Sequence, residues 1–82
     1  MTFQRFSKKK FTVTLSGGRT YQFRIGDITK LMLWSSGSEV ELSVSDDSTY
    51  PISIRRVLYD FEEVLARDPS SPTGLPEDLE AP

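Results

Sequence analysis

The sequence predicts a small, mostly β domain of the α+β class. We expect about five antiparallel strands in a meander or half-barrel, then one C-terminal amphipathic helix and a disordered acidic, proline-rich tail. Three observations lead to this prediction. Apolar and polar residues alternate in several early segments, later apolar residues recur at spacings of three and four, and the last fifteen residues hold four of the five prolines. The chain then divides into a basic N-terminal segment (1–9), one domain (10–67) and the tail (68–82).

The first two strands are predicted on either side of Gly17-Gly18. Apolar residues alternate with polar ones over 11–16 and again over 21–25. A two-residue loop would place the two apolar rows on opposite faces of the sheet. A three-residue loop, Gly17 to Arg19, pairs Leu15 with Tyr21 and places both rows on one face, so we predict a bulged hairpin.

Three more strands are predicted before the helix. Thr29–Trp34 and Glu39–Ser45 alternate in the same way and are separated by a serine- and glycine-rich turn. Thr49–Ser53 is a short fifth strand. Pro51 predicts that this strand lies at an edge of the sheet, because proline has no N–H to donate to a neighbouring strand.

The helix is predicted at about residues 54–67, with Ser53 as its N-cap. Its apolar stripe is the strongest periodic signal in the chain and consists of Ile54, Val57, Leu58, Phe61, Val64 and Leu65. Asp68-Pro69 should end the helix. The residues that follow are too polar and too rich in proline to build a core, so the tail is expected to be disordered.

The predicted elements do not match in width. Five strands at about 4.8 Å spacing make a sheet roughly 20 Å wide, whereas one helix is only about 10 Å across. Either the sheet curls into a half-barrel that the helix closes, or another protein or a second copy covers the remaining apolar face. This mismatch predicts association.

The composition excludes several classes of function. The chain contains no histidine and no cysteine, which removes disulfides, thiolate zinc sites, imidazole bases and cysteine nucleophiles. We therefore predict that the protein is not an enzyme and has no metal site and no cofactor. Neither a signal peptide nor a transmembrane segment is apparent, so we expect a protein of the cytoplasm, or of a virion interior, without membrane contact.

Candidate protein-contact residues come from two places. Met32 and Trp34 share a predicted strand face with Glu39 and Glu41, a combination typical of contact hot spots. The alternative is that Met32 and Trp34 pack beneath the N-terminal segment against Phe3 or Phe6.

Arg55 and Arg56 are the second set of candidates. They lie in the first turn of the predicted helix, where the helix dipole disfavours cations, so some negative charge should compensate them. Either an acidic partner or pairing of Arg56 with Asp60 would compensate.

A nucleic-acid surface is the alternative. Residues 1–30 contain seven basic residues and one acidic residue, although the whole chain has a net charge of -2. Basic strands with interleaved aromatic rings are typical of single-strand binders. The candidate residues are Arg5, Phe6, Lys8, Lys9, Lys10, Arg19, Arg24 and Lys30.

The layout of residues 10–66, a strand meander leading into one helix, is similar to the dimeric single-strand-binding domain of positive-cofactor-type transcriptional coactivators. This similarity covers layout and no residue motif. Two hypotheses follow. The chain is a non-catalytic protein-binding, regulatory or assembly module, such as a phage or accessory-complex component, that binds another protein or itself as a dimer. Alternatively, it is a dimeric single-stranded DNA or RNA binder that uses the basic first hairpin.

Overall fold

The computed structural model describes residues 1–58 and 62–79 and shows a six-stranded antiparallel sheet. The order across the sheet is β1-β2-β3-β6-β5-β4. The one α-helix among the described residues, α1 (Ile28–Leu31), follows a 3₁₀ turn at Ile25–Asp27 and leads towards β4. The prediction of a small antiparallel β-sheet domain is confirmed. The strands are β1 (Phe3–Ser7), β2 (Thr12–Leu15), β3 (Arg19–Phe23), β4 (Val40–Val44), β5 (Ile52–Arg56) and β6 (Glu63–Arg67).

The sheet consists of two three-stranded meanders that meet along two antiparallel seams. At one seam β3 pairs with β6, with Phe23 opposite Ala66. At the other, Thr2 bridges to Glu39, and the N–H of Phe3 donates to the carbonyl of Ser38 at 2.8 Å. The strands at the two ends of the sheet order therefore meet, and the sheet curls into a small barrel. The barrel covers its own apolar face, which overturns the width argument for association.

The core fills the inside of this barrel with side chains from alternate strand positions. Phe3 packs edge-on against Trp34, with ring centroids 5.5 Å apart, and Phe23 receives the edges of Phe6 and Phe11 at 6.3 and 6.1 Å. Each meander contributes to one continuous cluster. Its buried members are Phe3, Val13, Leu15, Tyr21, Phe23, Leu31, Trp34, Val40, Ile52, Ile54, Val64 and Ala66.

The predicted helix over 54–67 is wrong, because the described part of this stretch forms the end of β5, a turn at residues 57–58 and β6. Ile52 and Ile54 point inward from β5, and Val64 and Ala66 point inward from β6. The inward positions keep one alternation. The spacing of three and four arises because Val57 and Leu58, exposed after β5, and Leu65, on the other face of β6, are apolar as well. Phe61, part of that stripe, lies outside the described residues. The layout similar to the coactivator domain is lost with the helix.

The count of five strands is also wrong. Residues 29–34 form no strand, whereas the N-terminal segment 1–9 contributes β1 and the predicted helix contributes β6, which gives six. The strand β1 escaped detection because a bulge between Phe3 and Arg5 interrupts its register. The bulge places Phe3 and Phe6 on the same inner face although they are three residues apart. Their spacing therefore shows no period of two.

The first hairpin has a three-residue loop, but the loop is Ser16–Gly18, one position earlier than predicted. Val13 lies opposite Tyr21, and Leu15 lies opposite Arg19 rather than Tyr21. Gly17 and Gly18 take the left-handed φ values of 79° and 76° that the loop requires. The pairing therefore differs from the predicted one by two residues, and because this shift is even, the apolar rows still share one face.

The prediction that Pro51 marks an edge strand is wrong as well, since β5 lies between β4 and β6. Pro51 immediately precedes the strand, where no N–H is needed. Its carbonyl accepts a hydrogen bond from the N–H of Ser45 at 2.7 Å. The proline therefore begins the strand without interrupting its pairing.

Residues 68–79 fold against the barrel, so the prediction of a disordered tail is wrong for them. The N–H of Asp68 donates to the carbonyl of Gly74 at 2.7 Å, which closes a compact turn. Leu75 and Leu79 pack against the core, and Pro76 is buried. Three apolar residues anchor a segment whose remaining composition favours turns. Residues 80–82 of the predicted tail lie outside the described residues.

Candidate functional site

Two neighbouring loops expose large apolar side chains, and we call these four residues the apolar end. Met32 and Leu33 follow α1 and are 55% and 75% exposed, whereas Val57 and Leu58 follow β5 and are 40% and 85% exposed. The N–H of Val57 donates to the carbonyl of Glu39 at 3.0 Å, which holds the second loop beside the start of β4. Large apolar side chains that cluster outside the core indicate a contact surface.

Leu58 of the apolar end lines one side of a small open cleft. Ser35, Ser38, Glu39, Arg56 and Leu58 line the cleft, which has a volume of about 210 Å³. Sites for drug-sized ligands usually measure about 300–1,000 Å³ and are largely enclosed. The cleft is therefore suited to a single side chain of a partner, with one carboxylate and one guanidinium at its rim.

Trp34 lies buried behind this cleft instead of contributing to an exposed face. It is 6% exposed and packs against Phe3, while the guanidinium carbon of Arg56 lies 6.0 Å from its ring centroid. The Nε of Arg56 is also 3.1 Å from Oε2 of Glu62. Trp34 therefore supports the loop from within, as in the alternative that packs it against Phe3 beneath the N-terminal segment.

The six predicted protein-contact residues do not form one surface. Met32 belongs to the apolar end, and Glu39 and Arg56 line its cleft. Glu41 and Arg55 lie opposite each other on the outer face of β4 and β5, away from this cleft. Sequence reasoning missed Leu33 and Leu58, because the predicted strand and helix placed both of them on buried faces.

A second surface collects basic side chains, and we call it the cationic face. It comprises Arg5, the lysine turn Lys8–Lys10 and Arg67. Within residues 1–58 and 62–79, none of these five side chains forms an ion pair, whereas the other five basic residues all do. Those five are Arg19, Arg24, Lys30, Arg55 and Arg56.

The structure therefore divides the predicted nucleic-acid residues. It brings together Arg5 and the lysine turn, but it pairs Arg19 with Asp78 at 2.9 Å and directs Arg24 and Lys30 towards Asp27. Phe6 is half-buried with its ring edge-on to Phe23. Arg67 was missed because the predicted helix placed it far from the first hairpin.

Asp27 is a buried carboxylate that is fully engaged in holding the fold. Its Oδ2 accepts the N–H of Leu65 at 2.9 Å, and its Oδ1 lies 3.0 Å from Nη2 of Arg24 and 3.4 Å from Nζ of Lys30. Burial pushes the pKa of this carboxyl up, but the hydrogen bonds from Arg24 and Leu65 and the nearby charge of Lys30 hold it below its ordinary value. The Asp27 carboxylate thus pairs with a backbone N–H of β6, that of Leu65, next to the end of the pairing between β3 and β6.

The described residues contain no group of three or more carboxylates placed to hold a metal ion. In the same part of the chain, no helix has the length and apolar character needed to cross a membrane. No protein-family model matches this chain, and neither a curated protein nor a solved structure matches it.

Proposed function

We propose that this chain is a non-catalytic protein-binding module whose contact surface is the apolar end. The observation that carries the proposal is the exposure of Leu33 and Leu58, at 75% and 85%, on two adjacent loops of a barrel that is otherwise closed. Single exposed leucines are ordinary on protein surfaces. Four large exposed apolar side chains on two loops that share one cleft, which Ser35 and Leu58 line, are typical of an interface centre, with Glu39 and Arg56 as a polar rim.

The packing of the first loop supports this proposal. Leu31 is fully buried and Trp34 nearly so, and they flank Met32 and Leu33 on either side. Burial of Leu31 and Trp34 keeps Met32 and Leu33, which lie between them in the sequence, exposed to solvent. A loop anchored at both ends loses less conformational entropy on binding, which favours its use as a recognition element.

A paired substitution with a matched control tests the proposal. Each leucine contributes at least about 1.5 kcal/mol when it is buried by a partner, or about tenfold in affinity. We expect Leu33→Ser combined with Leu58→Ser to weaken binding of the native partner about 100-fold. Val44→Ser, which removes a 59% exposed apolar side chain at the end of β4, should leave binding unchanged.

The measurement is affinity capture from the native source, followed by titration calorimetry with the purified partner. Sedimentation equilibrium of the isolated chain shows whether the partner is a second copy. The proposal fails if the double variant binds as tightly as the parent chain, or if Val44→Ser loses as much affinity. Circular dichroism confirms that both variants are folded.

A further inference from the structure

We infer that the cationic face binds nucleic acid through its phosphate backbone and without reading the bases. The first reason is the distribution of charge. Arg5, Lys8–Lys10 and Arg67 have no carboxylate partner in residues 1–58 and 62–79, although the chain is acidic overall. These cations therefore add a local positive field on one side of the barrel, where they can replace the counterions of a polyanion.

The second reason is the set of hydroxyl and amide side chains that lie between the cations. Strand pairing places Ser7, Thr12, Gln22 and Arg67 in one row across β1, β2, β3 and β6. A parallel row contains Arg5, Thr14 and Thr20. Four strands span roughly 14 Å at ordinary strand spacing. Hydroxyl and amide donors flanked by arginines are the groups that contact phosphate oxygens in nucleic-acid complexes.

The third reason is the rigidity of the lysine turn. Phe11 ends this turn with a left-handed φ of 54°, which residues other than glycine rarely adopt. Its ring is fixed against Phe23, and the N–H of Lys10 donates to Oγ of Ser7 at 3.2 Å. The three lysines therefore project from a turn whose backbone is held by packing at one end and by a hydrogen bond at the other.

An acidic protein is a poorer fit to this face. Protein interfaces normally have an apolar or aromatic centre. Every exposed large apolar residue among the described residues lies elsewhere in the sequence, at position 1 or from Ile25 onward. Phe6 and Phe11 are half-buried with their rings packed against Phe23, so the face offers little aromatic surface on which a base could stack, although Phe6 lines a shallow cleft beside Arg5. Both observations favour contacts to phosphates alone.

Fluorescence anisotropy with a labelled 20-nucleotide single strand, measured between 50 and 200 mM KCl, tests the inference. Five phosphate contacts predict a slope of log K against log salt near about -3.5, which is roughly a 100-fold loss of affinity across this range. Lys8→Gln, Lys9→Gln and Lys10→Gln together should reduce the slope to about -1.4. Strands of different base composition, DNA or RNA, should bind equally.

A matched pair of single substitutions locates the surface. Arg5→Gln should reduce the slope by about 0.7, whereas Arg55→Gln, the same change at a cation paired with Glu63, should leave it unchanged. The inference is overturned by no binding at 50 mM KCl, by an unchanged slope in the lysine variant, or by equal effects of the two arginine changes. Competition by polyglutamate as strong as that by the oligonucleotide would assign the face to an acidic protein instead.

Discussion

Removing the carboxylate of Asp27 should destabilise the barrel without changing its surface. The side chain is 2% exposed and connects the turn before α1 to the N–H of Leu65 in β6. Asp27→Ala leaves that N–H buried and unpaired, at a cost of about 1–3 kcal/mol. The lost bond to Arg24 adds less, because its guanidinium is partly exposed and screened by water. We expect a total loss of about 2–3 kcal/mol.

That loss is large for a chain of this size. At about 0.05–0.15 kcal/mol per residue, an 82-residue domain has a free energy of unfolding of roughly 4–12 kcal/mol. A loss of 2 kcal/mol corresponds to a fall in Tm of at least about 8 °C. Urea titration followed by Trp34 fluorescence and by circular dichroism measures it. Asp46→Ala, in the exposed turn after β4, is the control and should change stability by less than about 0.5 kcal/mol.

The charge of Asp27 can be tested separately through pH. Its pKa is lowered in the folded state, so its ionised form stabilises the fold above the unfolded pKa of about 3.9. This contribution disappears as the pH falls through the folded pKa. Asp27→Asn lacks this contribution at every pH, so the difference in the free energy of unfolding between the parent chain and the variant should decrease below about pH 4. A gap that stays constant from pH 7 to pH 3, or a loss below 0.5 kcal/mol in Asp27→Ala, would refute the reasoning.

Three further predictions concern the packing of the barrel. Gly74→Ala should destabilise the fold by about 1–3 kcal/mol, because φ is +79° and the added Cβ would lie 3.0 Å from Cγ of Pro51. Gly37→Ala, with φ of +92° and open space around it, should cost only the backbone strain of a positive φ and is therefore the control. Equal losses of the two variants in denaturant titrations would contradict this. Trp34 in the monomer should emit at short wavelength and resist acrylamide, and a red-shifted, readily quenched spectrum would refute its burial. Deleting residues 69–82 should lower Tm and increase binding of a hydrophobic dye, since Leu75 and Leu79 cover part of the core; an unchanged Tm would show that the segment contributes nothing to stability.

Local patterns in the first half of the chain predicted their elements well. Val13, Tyr21 and Phe23 alternate with polar residues, and all three are buried on one face of β2 and β3. The two glycines marked a three-residue loop correctly in length and incorrectly by one position. Ser16, the first residue of the observed loop, donates its N–H to the carbonyl of Thr2, and its Oγ accepts the N–H of Thr2. Both bonds join residues fourteen positions apart, which no local pattern reveals.

The candidate surfaces were harder to predict than the strands. Four of the five residues of the cationic face are close in sequence and were identified from composition, but Arg67 joins them only because β6 pairs with β3. The sequence left open whether Met32 and Trp34 are exposed or packed beneath the N-terminal segment; after α1, which replaces the predicted strand, Trp34 is buried and Met32 is exposed. Leu33 and Leu58 were assigned to buried faces because the strand and the helix predicted for them do not form.

The sequence by itself determined that this chain forms a small antiparallel β domain, because alternation along a strand is a local property of neighbouring residues. It also determined that the chain is built without histidine or cysteine. Only the tertiary structure decided that 54–67 forms two strands and that the sheet closes on itself. The physical reason is that a strand obtains its hydrogen bonds and burial from partners distant in the sequence. The apolar spacing that predicts a helix is read within one segment and contains no information about those partners. The chain therefore needs no partner to cover its sheet, which leaves the apolar end and the cationic face as the surfaces to test.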